Sequence, residues 1–341
     1  MFFKSDNTAP VHPTIMEALT RANHGHAPSY GLDDYCHQAK EKFCEIFERE
    51  VFVFFVATGS IANSLALATI TPAYGMILSS QDAHVQVDEA NCVELITGGA
   101  KLKELPSQYG KIQPASLGEI ITSTLLLRPH MAKPSSLTLT QATEWGTVYT
   151  VDEIAHLCHE AHSYGLKTHM DGARFANALV HLNVPPADLT WRAGIDILSF
   201  GATKNGAMQA EAIVVFDSSL AEELDYQTKR AGQLPAKQRY WAAQFISYFD
   251  NNLWLELAEH ANAMAQKLAK TLCQHQMELI VTPQANEIFV KLPTDVAEYL
   301  QNKGAHFYPW GSKDHFCYRM VTSWMTQEEE ISSLENHLNN Y

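Results

Sequence analysis

Cysteine is sparse and scattered. There are six, Cys36, Cys44, Cys92, Cys158, Cys273 and Cys317, and no two form a CxxC pair. A chain of 341 residues can bury a sizeable core without covalent staples, so these read as free thiols in a reducing compartment, with cytoplasm the expected location. Long apolar runs are also missing. Nothing approaches about 18 consecutive apolar residues, so no membrane-spanning helix is expected. The opening Met-Phe-Phe-Lys-Ser-Asp-Asn has no basic stretch followed by an apolar core, and it reads as a true start, not a secretory leader. Positive charge is in deficit, with 24 Lys plus Arg against 38 Asp plus Glu and a net charge of −14. That balance removes the usual drive toward a polyphosphate, so the expected partner is a small molecule and not a nucleic acid or a membrane. No GxGxxG follows a strand-like run, which disfavours a Rossmann nucleotide binder. Internal repeats and low-complexity linkers are absent as well.

What remains is a globular composition, 46% apolar and 18% charged. Apolar positions at Cys36, Ala39, Phe43, Ile46 and Phe47 put one face on a helix over 33–49. Val51 to Val56 is a continuous run suited to a strand buried on both faces, and a helix follows from Ile61. Strands are predicted at 136–141, 166–170, 195–200 and 211–216, and helices at 151–164, from about Arg174, through most of 218–273, and near 326–338. This alternation predicts an α/β fold with a mainly parallel sheet. The expected division is a large domain over 15–235 and a smaller α+β domain over 236–341 joined by residues 1–14.

Ligands of open parallel sheets collect at the carboxyl ends of strands. Three such ends carry unusual residues. Thr58-Gly59-Ser60 precedes a helix, and glycine plus a helix N-terminus can hold a phosphate, although such a turn is also simply a turn. Asp171 follows a short strand, where it can pair with Arg174, a metal or a protonated ring nitrogen, or cap the next helix. Lys204 stands in a Gly-rich turn after an apolar strand. Desolvated, it becomes a nucleophile toward carbonyls; solvated, it is an ordinary loop lysine. Together, in that order, a phosphate cradle, an aspartate and a lysine are what pyridoxal 5′-phosphate requires: a Schiff-base partner, an anion for its ring nitrogen and a seat for its phosphate.

The motifs Ser5-Asp6-Asn7-Thr8, Tyr30-Gly31-Leu32-Asp33, Thr58-Gly59-Ser60-Ile61-Ala62-Asn63, Ala83-His84 with Asp88-Glu89-Ala90, Asp171-Gly172-Ala173-Arg174, Thr203-Lys204-Asn205-Gly206 and Arg319-Met320-Val321-Thr322-Ser323-Trp324 run across nearly the whole chain. In this order the sequence resembles the low-specificity L-threonine aldolases, of the aspartate-aminotransferase-like fold type I group of pyridoxal-phosphate enzymes. The resemblance implies that Lys204 forms the Schiff base and that Asp171 pairs with the pyridine nitrogen. Thr58, Gly59, Ser60 and Thr203 would lie at the cofactor, and His84 would stack on its ring. Arg174 and Arg319, helped by Ser5, would clamp a substrate carboxylate, with Arg174 also near the cofactor. Tyr30 would reach the site, often from a neighbouring subunit in such enzymes. A homodimer or homotetramer with the site at the subunit interface is implied too.

Departures from the family pattern are Thr140-Gln141-Ala142-Thr143-Glu144-Trp145, Ser323 where a histidine is common, and Asn205-Gly206 after the lysine. They bear on substrate preference more than on cofactor. His130 is a candidate substrate contact, because it precedes the 136–141 strand and the family often has a histidine nearby. His156, Cys158, His159 and His162 invite a metal, but Ile154, Leu157, Cys158 and Ala161 form the apolar stripe of that helix and the His-Glu-x-x-His spacing is absent, so no metal is expected. Lys229-Arg230 and Lys237-Gln238-Arg239 read either as a solvated helix face or as a phosphate contact across a subunit interface. The implied reaction is retro-aldol cleavage of L-threonine or L-allo-threonine to glycine and acetaldehyde, with His84, His130 or a water as base. Alternatives are β-elimination, transamination, or an aldolase preferring another β-hydroxy amino acid such as phenylserine.

Overall fold

The apolar runs become the strands of one seven-stranded sheet in the computed structural model, which describes residues 1–311 and 317–341. In chain order the strands are β1 (Phe52–Val56), β2 (Gly75–Ser80), β3 (Lys101–Leu105), the paired fragments β4 (Ser107–Gln108) and β5 (Lys111–Ile112), β6 (Lys133–Thr140), β7 (Lys167–Gly172), β8 (Ile197–Gly201) and β9 (Glu211–Val215). The large sheet has the order β1-β9-β8-β7-β6-β2-β3. Its neighbours pair in parallel except β9, which runs antiparallel to β8 and β1. β8 and β9 are buried at every position, as strands covered by helices on both faces must be.

Two strands lay outside the sequence reading. β2, Gly-Met-Ile-Leu-Ser-Ser, is central and fully buried, but its glycine and serines dilute the β-branched signal. β3, Lys-Leu-Lys-Glu-Leu, is an edge strand whose exposed charges guard it against further pairing and disguise it as a loop.

A second sheet, β10 (Glu278–Leu279), β11 (Glu287–Lys291), β12 (Tyr308–Pro309) and β13 (Cys317–Val321), is antiparallel in the order β10-β11-β13-β12. The chain's first residues join it: Phe3 N–H donates to His306 O at 2.9 Å and Phe3 O accepts from Val321 N–H at 2.8 Å. Helix Leu253–Gln274 serves both cores. Trp254 and Ala258 pack with the large sheet, while Met264, Leu268 and Leu272 pack with the small one. On one face of the large sheet Phe43, Phe47, Phe55, Phe200, Phe245 and Phe249 form an aromatic cluster, with Phe43 edge-on to Phe200 at 5.3 Å. In helix Val151–Ser163 the buried residues are Ile154, Leu157, Cys158 and Ala161, the stripe expected from the sequence.

Candidate active site

A cavity of about 530 Å³ opens at the carboxyl ends of β1, β6, β7 and β8. Most of its lining comes from residues at or just after strand ends. β1 runs into Thr58, the N-cap of helix Gly59–Ile70, whose hydroxyl accepts the Ile61 N–H at 3.3 Å. Thr58, Gly59 and Ser60 line the cavity, so the unpaired first-turn N–H groups of that helix lie at its edge.

β7 brings Asp171. Its carboxylate is buried and held by two donors, Asn63 Nδ2 at 2.8 Å and the Ala173 N–H at 3.0 Å. Asn63 also donates to Glu89 at 2.9 Å, and Glu89 meets His84 Nδ1 at 2.9 Å. One chain of contacts thus runs from Asp171 through Asn63 and Glu89 to His84. The Glu89 contact raises the His84 pKa above its ordinary value, against the opposing effect of burial. Burial likewise raises Glu89. The His84 backbone N–H donates to Glu144 at 2.8 Å, and burial of that carboxyl pushes it up to about 7. Because Nδ1 is engaged, Nε2 is the nitrogen left for another partner.

β8 ends in the turn that carries Lys204. Asn205 fixes this turn by donating to Tyr248 OH at 2.7 Å and Trp254 O at 2.8 Å. Thr203 Oγ1 accepts the Ala210 N–H at 3.1 Å. Gly206 has φ 99°, which a β-carbon would strain, and its own Cβ position lies 3.0 Å from Leu257. Lys204 therefore projects from an anchored backbone into the cavity. Burial lowers its pKa, and the nearby Arg174 charge lowers it further, so a neutral amine becomes more accessible.

Arg174 departs from the expected free clamp. Its Nε and Nη2 grip Asp6 at 2.7 and 3.1 Å, and Nη1 lies 3.4 Å from Glu287. Burial alone would raise the Asp6 carboxyl, but the Arg174 guanidinium beside it holds it down at about 2. Arg319 is also paired, with Nε and Nη2 on the same Glu287 at 3.1 and 2.5 Å and Nη1 on Tyr308 OH. Two guanidiniums and two carboxylates thus compensate one another, and Arg174, engaged at all three of its nitrogens, still lines the cavity.

Of the residues singled out in the sequence, Thr58, Gly59, Ser60, His84, Asp171, Arg174, Thr203 and Lys204 all line this cavity. Four others do not. Ser5 caps the turn that places Asn7 on the wall. Arg319 stands behind Glu287. Tyr30 is half exposed, with φ 59° and Lys229 Nζ 5.0 Å over its ring. His130 is the clearest correction. It lines a different cavity with Tyr74, Arg128 and Lys133, before the first residue of β6, whereas the site lies at that strand's carboxyl end. Preceding a parallel strand in sequence places a residue at the wrong end of the sheet. Asp6, Asn63, Glu89, Glu144, Glu211 and Glu287, to which the sequence alone assigns no role, stand in or directly behind the cavity wall. A larger cleft of about 1030 Å³ lies between Lys111, His181, Asn262 and Gln284, but it lacks a lysine–aspartate pair at strand ends.

The profile of the family described as "Beta-eliminating lyase" matches residues 3–295. The chain belongs to that family. It is 40% identical to the low specificity L-threonine aldolase of Pseudomonas sp. (strain NCIMB 10558) over 334 residues, 97% of this chain and 95% of the relative. Identity to the Pseudomonas aeruginosa enzyme of the same name is 39%, with 97% and 95% coverage. Among solved structures, a threonine aldolase of Leishmania major superposes with a TM-score of 0.94 at 28% identity, covering 99% of this chain and 98% of that one. The architecture is therefore that of fold type I, with the large mixed sheet and the smaller carboxyl-terminal sheet in place.

Proposed function

We propose that the chain is a pyridoxal 5′-phosphate-dependent aldehyde-lyase. It would cleave L-threonine or L-allo-threonine, and related β-hydroxy-α-amino acids, to glycine and an aldehyde. The observation that carries this reading is the convergence of Lys204, Asp171 and the Gly59–Ser60 helix start on one cavity. The donor set fits the cofactor. Lys204 has a depressed pKa and no carboxylate hydrogen-bonded to it among the described residues, Asp171 is pinned by two donors, and helix N–H groups suit a phosphate. A volume of about 530 Å³ is within the ordinary range for cofactor sites.

The bound cofactor supplies an aldehyde that condenses with amines and a ring that accepts the electron pair of the breaking bond. The protein's own groups then do the rest. Asp171 holds a proton at the ring nitrogen. Arg174, held in place by Asp6 and Glu287, would present its guanidinium to the substrate carboxylate, which would set the orientation of the Cα–Cβ bond. His84, with Nδ1 on Glu89, takes the β-hydroxyl proton at Nε2, directly or through a water, and Glu89 stabilises the resulting imidazolium. Arg319 acts through Glu287, positioning Arg174 from behind.

The same reading includes a homodimer or homotetramer. The exposed Tyr30, with the basic Lys229 beside it, is offered to a second copy's cavity. It also includes a cytoplasmic location and the division into a large domain over 15–235 and a smaller one over 236–341 with residues 1–14, the two cores sharing helix Leu253–Gln274. The test is to incubate the protein with pyridoxal phosphate and L-threonine or L-allo-threonine and to measure glycine and acetaldehyde together. Equimolar products, lost in Lys204→Ala, support the aldolase. A keto acid in place of glycine would turn the reading to β-elimination, the reaction after which the family is named.

A further inference from the structure

Glu211 opens β9, where Gly201 of β8 and Val56 of β1 are its register partners, so it sits between two strand ends at the floor of the cavity. The carboxyl is buried. Its Oε2 lies 3.1 Å from where a β-carbon on Gly201 would stand and 4.0 Å from that position on Gly59. An acid therefore occupies the neighbourhood of the helix N-terminus that the proposed function gives to a phosphate. Two anions at that range in a buried site repel strongly.

The groups facing Glu211 are few. Thr203 offers hydrogen bonds, Lys204 faces it from the same turn, Asp171 faces it from β7, and the Tyr248 phenol faces it from helix Arg239–Phe249. β1, β8 and helix Gly59–Ile70 contribute no titratable side chain. Among the described residues Lys204 is the single cation facing it on that side, and its nitrogen would be taken up by the cofactor's aldehyde. Among the described residues of this chain no further cation stands beside Glu211 to offset a carboxylate next to a phosphate. Burial already pushes the acid up to about 7 before any anion arrives.

We infer that Glu211 is protonated in the cofactor-loaded protein and donates that proton in a hydrogen bond to the cofactor's phosphate. The inference rests on the proposed function. The proton comes from solvent, the bond formed is the carboxyl O–H, and no redox step is involved. Glu211 is then a binding residue that makes phosphate capture proton-linked, with affinity declining as pH rises through the acid's own titration.

The test uses the full-length chain freed of cofactor, as wild type and Glu211→Gln, titrated from pH 7 to 9.5 with pyridoxal phosphate and separately with pyridoxal. Binding is read from the absorption of the lysine adduct. For pyridoxal phosphate the wild-type Kd is expected to rise relative to that of Glu211→Gln by about tenfold per pH unit above the titration point. For pyridoxal the ratio should stay flat. Calorimetry of the wild type in two buffers of different ionisation enthalpy should show about one more proton taken up with the phosphorylated ligand at pH 8.5. A flat ratio with pyridoxal phosphate, or the same slope with pyridoxal, overturns the inference while leaving the cofactor in place. If neither ligand gives an adduct that depends on Lys204, the proposed function fails and the inference fails with it.

Discussion

At the scale of single residues, the site is a set of charges that hold one another. Arg174 is buried with Asp6 on two of its nitrogens, so Asp6→Asn leaves that buried cation with Glu287 as its one paired carboxylate among the described residues. A loss of about 3–5 kcal/mol is expected in urea unfolding at pH 7. The folded pKa of Asp6, held at about 2, lies below its unfolded value, so its stabilisation is present above about pH 4 and disappears as pH falls through 2. Glu89→Gln should move the His84 titration down in an NMR pH series, because the Glu89 contact is the main cause of its raised pKa. That shift works in the opposite sense: the stability it adds is full below the unfolded histidine pKa and fades as pH rises through the folded one. Lysine, aspartate and arginine were legible in the sequence because each follows an apolar run and has a chemistry of its own. Glu211 was not, since a glutamate opening an apolar strand carries no local signal. Asp6 and Glu287 are 281 positions apart, and only folding brings both to Arg174.

At the scale of elements, the strands are rigid arms and the site is what they present. Phe200 is fully buried in the aromatic cluster and directly precedes Gly201 and the lysine turn. Phe200→Ala is expected to destabilise the fold by about 3–5 kcal/mol in chemical denaturation and to lower cofactor affinity by loosening that turn. Gly172, after Asp171, has no room for a side chain: a β-carbon would sit 2.7 Å from Ser199 O and 2.8 Å from Leu198. Gly172→Ala should cost about 1–3 kcal/mol, read as a lower Tm. The Asp-Gly pair is thus explained by strand spacing as much as by chemistry. Strands with continuous apolar runs were readable, β8 and β9 among them. β2 and β3 were not, because one mixes serines into a buried strand and the other wears charge on an edge. The misplacement of His130 has the same scale. Local sequence gives a strand but not which of its ends faces the ligand until the sheet order is known.

At the scale of the whole molecule, two cores are tied by one long helix and by the first residues, which reach across to the small sheet. The active-site wall draws on residues from Asn7 to Glu211, and Arg174 is backed by Glu287 and Arg319 from the small sheet. Sedimentation equilibrium is expected to give a dimer or tetramer, with Tyr30→Ala raising KM more than it disturbs folding; a monomer with full activity would remove the second copy from the account. The proposed function stands on Lys204 as the covalent seat of pyridoxal phosphate in this cavity. The most direct measurement is borohydride reduction of the loaded protein followed by peptide mass spectrometry. A single phosphopyridoxyl label on the peptide containing Lys204 is the predicted result, and a label on another lysine, or none, would contradict it.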